Sequence, residues 1–185
     1  MTQIKFHKLT WTQIHKDCLI LYKKHLSSIE IDKIVSISRG GNVMSRIFSD
    51  LLGNLPISHF TISSYHDLKK QKHPVITEQL NTDLEDKTVL IVDEVSDTGE
   101  TFDIAIDHIR RFNPKKIYTL APYIKPHTKF RPDFWEKNID AWIVFPYDIR
   151  ETAEGFMKLF GNKERAKEKM KEIGFEPWEI ETVLS

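Results

Sequence analysis

The sequence has 185 residues, with 27 Lys+Arg against 27 Asp+Glu, so its formal net charge is zero. At 40% hydrophobic and 29% charged residues it has the balance of a globular domain with a sizeable core. An even charge argues against a general nucleic-acid binder, which needs a clustered cationic face, and no apolar run approaches the ~20 residues that span a bilayer.

The start, MTQIKFHKLTW, lacks the apolar centre of a secretory signal, so a cytoplasmic chain is expected. Thr10 and Gln13 read as a capping box opening a helix with Trp11, Ile14, Cys18 and Leu21 on one stripe. Cys18 is the only cysteine, which excludes an internal disulfide and a cysteine-rich zinc site; on that stripe it is expected to pack in the core. Lys33 to Ile37 is a short β-branched strand ending in Ser38-Arg39-Gly40-Gly41. A helix with Val43, Ile47 and Leu51 on one face follows and stops at Gly53. Pro56 to Tyr65 holds a second strand. From His66 to Lys87 the chain is polar and without clear periodicity, the mark of a functional loop or a disordered segment.

Thr88-Val89-Leu90-Ile91-Val92 is the most apolar strand, suited to the centre of a parallel sheet covered on both faces. Phe102, Ala105, Ile106, Ile109 and Phe112 mark a helix that ends at Asn113-Pro114. Ile117 to Ile124 and Ala141 to Phe145 supply further strands. From Arg150 on the pattern is helical, with Lys163, Lys167 and Lys171 beside Glu164, Glu168 and Glu172 on a solvated face. Alternating strands and helices predict an α/β fold, a Rossmann-like open, mainly parallel sheet flanked by helices. Residues 1–149 are read as the main domain and 150–185 as a helical C-terminal extension of unassigned role. In such sheets ligands bind beyond the carboxyl ends of the strands.

The central strand runs straight into Asp93-Glu94-Val95-Ser96-Asp97-Thr98-Gly99-Glu100-Thr101. Three carboxylates in five residues at a buried strand end are costly unless a cation or a hydroxyl-rich ligand engages them. The segment from Thr98 to Thr101 enters a helix, where free N–H groups, hydroxyls and a glycine can cradle a phosphate monoester. The plain alternative is an acidic turn in which Asp97 or Thr98 merely caps the helix. Neither a Gly-x-x-x-x-Gly-Lys-Ser/Thr nor a Gly-x-Gly-x-x-Gly pattern is present, so the commoner nucleotide sites do not apply.

This stretch resembles the signature of type I phosphoribosyltransferases, which bind 5-phosphoribosyl 1-pyrophosphate. The resemblance implies that Asp93 and Glu94 hold the ribose hydroxyls, that Asp97, Thr98, Gly99, Glu100 and Thr101 hold the 5′-phosphate, and that Asp97 is the catalytic base at purine N7. Ser38, Arg39, Gly40 and Gly41 stand where the family has its pyrophosphate turn, a place a plain βα turn could also fill. Ser64-Tyr65 matches the start of the family's mobile loop, making residues 66–87 a candidate lid with Lys69, Lys70 and Lys72 on it. Ile124-Lys125-Pro126 and Trp142-Ile143 look like the 6-oxopurine branch, with Lys125 on the 6-oxo group, Trp142 stacked on the base and Ile143 beside it. A cation suits an exocyclic carbonyl and an indole suits a purine. The implied cofactor is Mg²⁺, held mainly by substrate with Asp93 the candidate protein ligand. The implied partners are phosphoribosyl pyrophosphate and a purine base, with no nucleic acid, in a homodimer or higher oligomer. The rival expectations are transfer to another base, a nucleic-acid-binding regulator that senses the same sugar, and a structural partner without ligand.

Overall fold

Lys33–Ser38 and Thr88–Val92 form strands where β-branched and aliphatic residues cluster, and each runs into a glycine-containing turn that leads to a helix. The computed structural model describes residues 4–65 and 73–185. In chain order the elements are β1 (Phe6–Lys8), α1 (Trp11–Leu21, prolonged by a π-turn Tyr22–Leu26), β2 (Lys33–Ser38), α2 (Gly41–Leu51), β3 (Ile57–Tyr65), β4 (His73–Glu78), β5 (Thr88–Val92) and β6 (Val95–Ser96). Then come α3 (Glu100–Arg110), β7 (Lys116–Leu120), β8 (Tyr123–Ile124), β9 (Lys137–Asn138), β10 (Trp142–Val144), α4 (Ile149–Phe160), α5 (Lys163–Glu172) and α6 (Pro177–Leu184).

The chain divides into two compact units, one of His15–Ile139 and one joining Met1–Ile14 to Asp140–Ser185. The packing thus draws its line elsewhere than the 149/150 boundary expected from sequence. The larger unit holds a five-stranded sheet in the order β4-β3-β2-β5-β7, parallel except for β4. Alternation along β2 and β5 sends Val35, Ile37, Val89 and Ile91 to one face, where they pack with Phe102, Ala105 and Ile109 of α3. The opposite face carries Ile34 and Leu90 in register, under α2. There Cys18 Sγ meets Met44 Sδ at 3.9 Å, and burial pushes the Cys18 thiol up to about 12, so it is core, as expected.

Four details depart from the sequence reading. Residues 73–78 of the expected loop form a strand, because Val75, Ile76 and Glu78 pair with β3 at a sheet edge that tolerates Pro74. The expected lid residues 66–72, with Lys69, Lys70 and Lys72, and the side chains of Ser64 and Tyr65, lie outside the described residues. The strand expected over 117–124 breaks before Pro122, and its second part, β8, joins a separate sheet ordered β6-β8-β9. In α2 the buried face is Met44, Ser45, Phe48 and Ser49, while Val43, Ile47 and Leu51 are half-buried. Trp11 is 56% exposed rather than core, lying 5.8 Å from the Tyr147 ring.

In the smaller unit β1 pairs in parallel with β10, matching Phe6 to Trp142 and His7 to Ile143. Helices α4 to α6 bury Ala153, Phe156, Ala166, Met170, Ile180 and Leu184 together with Val144. The Lys8 ammonium donates to the Gly174 carbonyl (2.7 Å) and lies over the Phe175 ring (4.5 Å). No helix among the described residues is long and apolar enough to cross a membrane.

Candidate active site

Strands β2 and β5 are adjacent and parallel, and the chain leaves them in opposite directions, to β3 on one side and β7 on the other. A crevice opens at the carboxyl ends of such a pair. Into it run the turn Ser38–Gly41 after β2 and the turn Asp93–Gly99 after β5. The two turns touch. A Cβ on Gly40 would overlap the Glu94 carboxylate, and one on Gly41 would overlap the Val92 carbonyl. At Gly41, where the close atom is backbone, only glycine lets the turns meet; at Gly40 the close atoms are the end of the Glu94 side chain. Ser36 Oγ (2.8 Å) and Ser38 Oγ (3.2 Å) both donate to Asn42 Oδ1, and the Asn42 N–H donates to the Arg39 carbonyl, which fixes the first turn. The Ser38–Arg39 peptide is cis, and the Arg39 side chain is exposed.

Asp93 is only 8% exposed. Its N–H donates to the Leu120 carbonyl at 3.0 Å, and its Oδ1 accepts the Glu94 N–H at 2.9 Å. Burial, then the neighbouring Glu94 charge and carboxyl–carboxyl contact, hold the Asp93 carboxyl well above the ordinary carboxylate range; the Glu94 N–H acts in the opposite direction. Glu94 Oε2 is buried and has no hydrogen-bond partner among the described residues. Two carboxyl groups in this state call for a shared proton, a cation or a hydroxyl donor.

Farther along, Gly99 adopts φ 95°, and a Cβ there would sit 2.5 Å from Phe130 Cβ. Gly99 is also the N-cap of α3, with no side chain capping the helix, which does not match the plain alternative in which Asp97 or Thr98 merely caps it. Thr98 Oγ1 accepts the Glu100 N–H at 3.4 Å, a long contact, while Thr98 and Glu100 are exposed and Thr101 is half-buried. The start of α3 is thus exposed at Thr98 and Glu100, where the helix dipole favours an anion, while the Phe102 and Asp103 N–H groups donate to the Gly99 carbonyl.

Asp97 is exposed, and its Oδ1 lies 2.7 Å from His127 Nε2. The Lys125 N–H donates to the Ser96 carbonyl and the Lys129 N–H to the Thr98 carbonyl, both at 3.0 Å. Sequence reasoning missed Asn42 and His127. His127 obeys the same rule that found Lys125, since it follows the end of β8, but a lone exposed histidine carries no motif. Trp142 and Ile143 belong to the smaller unit; Trp142 is 64% exposed and Ile143 is buried. Thus the structure brings Gly40, Gly41, Asp93 and Glu94 together, and Asp97 to Thr101 beside the Lys125 segment.

A model of the phosphoribosyl transferase domain matches residues 10–152. The chain belongs to the phosphoribosyltransferase family. Among solved structures this phosphoribosyltransferase is similar to the purine phosphoribosyltransferase of Pyrococcus horikoshii Ot3, at 34% identity and TM-score 0.72, over 78% of this chain and 94% of that one. It is 29% identical over 161 residues to a xanthine-guanine phosphoribosyltransferase of Desulfotalea psychrophila, covering 86% of this chain and 95% of the relative. The Helicobacter pylori xanthine-guanine-hypoxanthine phosphoribosyltransferase shares the fold at 22% identity and TM-score 0.70, over 85% of this chain and 99% of that one.

Proposed function

We propose that this phosphoribosyltransferase transfers the 5-phosphoribosyl group of 5-phosphoribosyl 1-pyrophosphate to N9 of a 6-oxopurine: hypoxanthine, guanine or xanthine. The products are the nucleoside 5′-monophosphate and pyrophosphate, a purine-salvage reaction. The observation that carries the reading is the contact of the two turns, which sets a glycine-rich anion turn against paired carboxylates in one crevice. Similarity to purine-acting relatives supports the choice of base. By the same reading Trp142 stacks on the base, as an indole suits a purine.

In this mechanism the C1′–pyrophosphate bond breaks with its electron pair leaving on pyrophosphate, and the N9 lone pair forms the new C1′–N9 bond. Asp93 and Glu94 hold the 2′- and 3′-hydroxyls, and the negative charge of the pair stabilises the cationic character that grows on the ribose ring. The N–H groups at the start of α3, with Thr98 and Thr101, hold the 5′-phosphate, while Ser38 to Gly41 receive the pyrophosphate. Asp97 takes the purine ring proton at N7. Lys125 donates to the 6-oxo group, and the Ile143 backbone reads the base edge.

The donor set fits a magnesium ion, since a buried carboxylate pair with one unsatisfied oxygen suits a hard cation. Asp93 and Glu94 would stand beside it while substrate oxygens supply most ligands, because no cluster of three His, Cys, Asp or Glu occurs among the described residues. When bound, the ion neutralises charge on the pyrophosphate. We further propose a cytoplasmic homodimer or higher oligomer; light scattering reads the oligomer.

A panel of purine and pyrimidine bases with phosphoribosyl pyrophosphate and Mg²⁺, read by product mass, tests the function. Monophosphates of 6-oxopurines are expected. Transfer only to adenine or a pyrimidine would reassign the base, and no transfer beside tight DNA or RNA binding would replace the enzyme with a regulator.

A further inference from the structure

The pair formed by His127 and Asp97 is not a chance meeting of two exposed side chains. Residues 96 and 98, on either side of Asp97, accept N–H groups from residues 125 and 129, on either side of His127. Ser96 Oγ and Thr128 Oγ1 lie 3.0 Å apart, and Ser96 Oγ donates to the Phe130 carbonyl at 2.7 Å. Two backbone segments are therefore clamped on both flanks of the 2.7 Å contact between Asp97 Oδ1 and His127 Nε2. Pro126 fixes the backbone immediately before the histidine.

We propose that His127 is a positioning residue for Asp97: its Nε2–H holds Oδ1, which orients the carboxylate and leaves Oδ2 to accept the purine ring proton. The inference rests on the general-base reading of Asp97. When the proton moves from N7 to Oδ2, the carboxylate becomes a neutral acid and the histidine keeps its own proton, so charge balances without a further co-reactant. An exposed pair adds little to folding stability, so a purely structural role predicts no loss of turnover when it is removed.

Wild type, His127→Ala, His127→Gln and Asp97→Ala are compared for kcat, KM and melting temperature with a 6-oxopurine. Loss of orientation in His127→Ala is expected to lower kcat about 10- to 100-fold. KM for phosphoribosyl pyrophosphate should stay within about twofold and the melting temperature should not move. His127→Gln, whose amide supplies a donor near the Nε2 position, is expected to recover most of the loss. A double variant carrying His127→Ala and Asp97→Ala should be no slower than Asp97→Ala alone. A His127→Ala kcat equal to wild type, with Asp97→Ala inactive, overturns this proposal and leaves the base assignment standing. An Asp97→Ala enzyme that retains turnover overturns the base assignment and this proposal together. Imidazole ¹⁵N spectra test the pair without any turnover: Asp97→Asn is expected to shift the His127 signals, and unmoved signals overturn the contact.

Discussion

Gly40 is constrained by a neighbour and not by its own backbone. Its φ of −59° suits any residue, yet a Cβ would land on the Glu94 carboxylate. Gly40→Ala is therefore expected to push Glu94 out of the crevice and to weaken phosphoribosyl-pyrophosphate binding about tenfold or more, read by calorimetry, with circular dichroism unchanged. A normal Kd would show that Glu94 moves aside at no cost. Gly99 differs, since it needs both its left-handed backbone and room against Phe130. At Asp97 the argument is chemical. Asp97→Ala removes the proton acceptor from an exposed position, so kcat should fall about 10²- to 10⁴-fold while KM for phosphoribosyl pyrophosphate changes little. Steady-state kinetics decide it, and an unchanged kcat would assign the proton transfer elsewhere.

Among the elements, α1, β8 and β9 are tied by one buried carboxylate. The Tyr123 hydroxyl donates to Asp17 Oδ2 at 3.0 Å, and Lys137 Nζ lies 2.8 Å from Asp17 Oδ1. The hydroxyl is held un-ionised by burial and by the Asp17 charge, which raise its pKa. Tyr123→Phe leaves Asp17 with one donor fewer in a site where it is almost fully buried. A loss of about 2 kcal/mol in urea unfolding is expected, because hydrogen bonds to charged groups carry roughly that much. KM values should not change, and equal urea midpoints would mean that water replaces the phenol. This tie was not legible in the sequence, since Asp17 and Tyr123 are 106 residues apart and neither forms a motif. The strand–turn–helix units around Gly40 and Gly99 were legible because strand, turn chemistry and helix are local and agree. Strand β4 was hidden because its pairing with β3, and not its own composition, makes it a strand. The break between β7 and β8 was written in Pro122, which lacks the N–H a continuous ladder needs.

On the scale of the whole molecule, the acidic crevice makes stability depend on pH. Residues after 149 act at the same scale: α4 to α6 cover β1 and β10, so the expected extension supplies core to the smaller unit. That role was hidden from the sequence because the polar α5 face of Lys and Glu masks the buried Ala166 and Met170. In the larger unit the native chain keeps a proton on Asp93 at pH values where the unfolded chain, with its carboxylate near about 3.9, has released it. Where the native state binds more protons, unfolding free energy falls as pH rises. The Asp93 contribution is thus complete below the ordinary carboxylate value and is lost as pH climbs through the raised native one. Asp93→Asn removes the titration while leaving a group that can still donate to the Glu94 carboxylate. Its melting temperature should vary less between pH 4 and 8 than that of wild type and exceed it at neutral pH, while turnover falls for want of a carboxylate beside the ribose. Thermal melts at fixed ionic strength, taken without ligand, measure the difference. Parallel profiles for the two proteins would mean that Asp93 gives up its proton as readily in the folded chain as in the unfolded one.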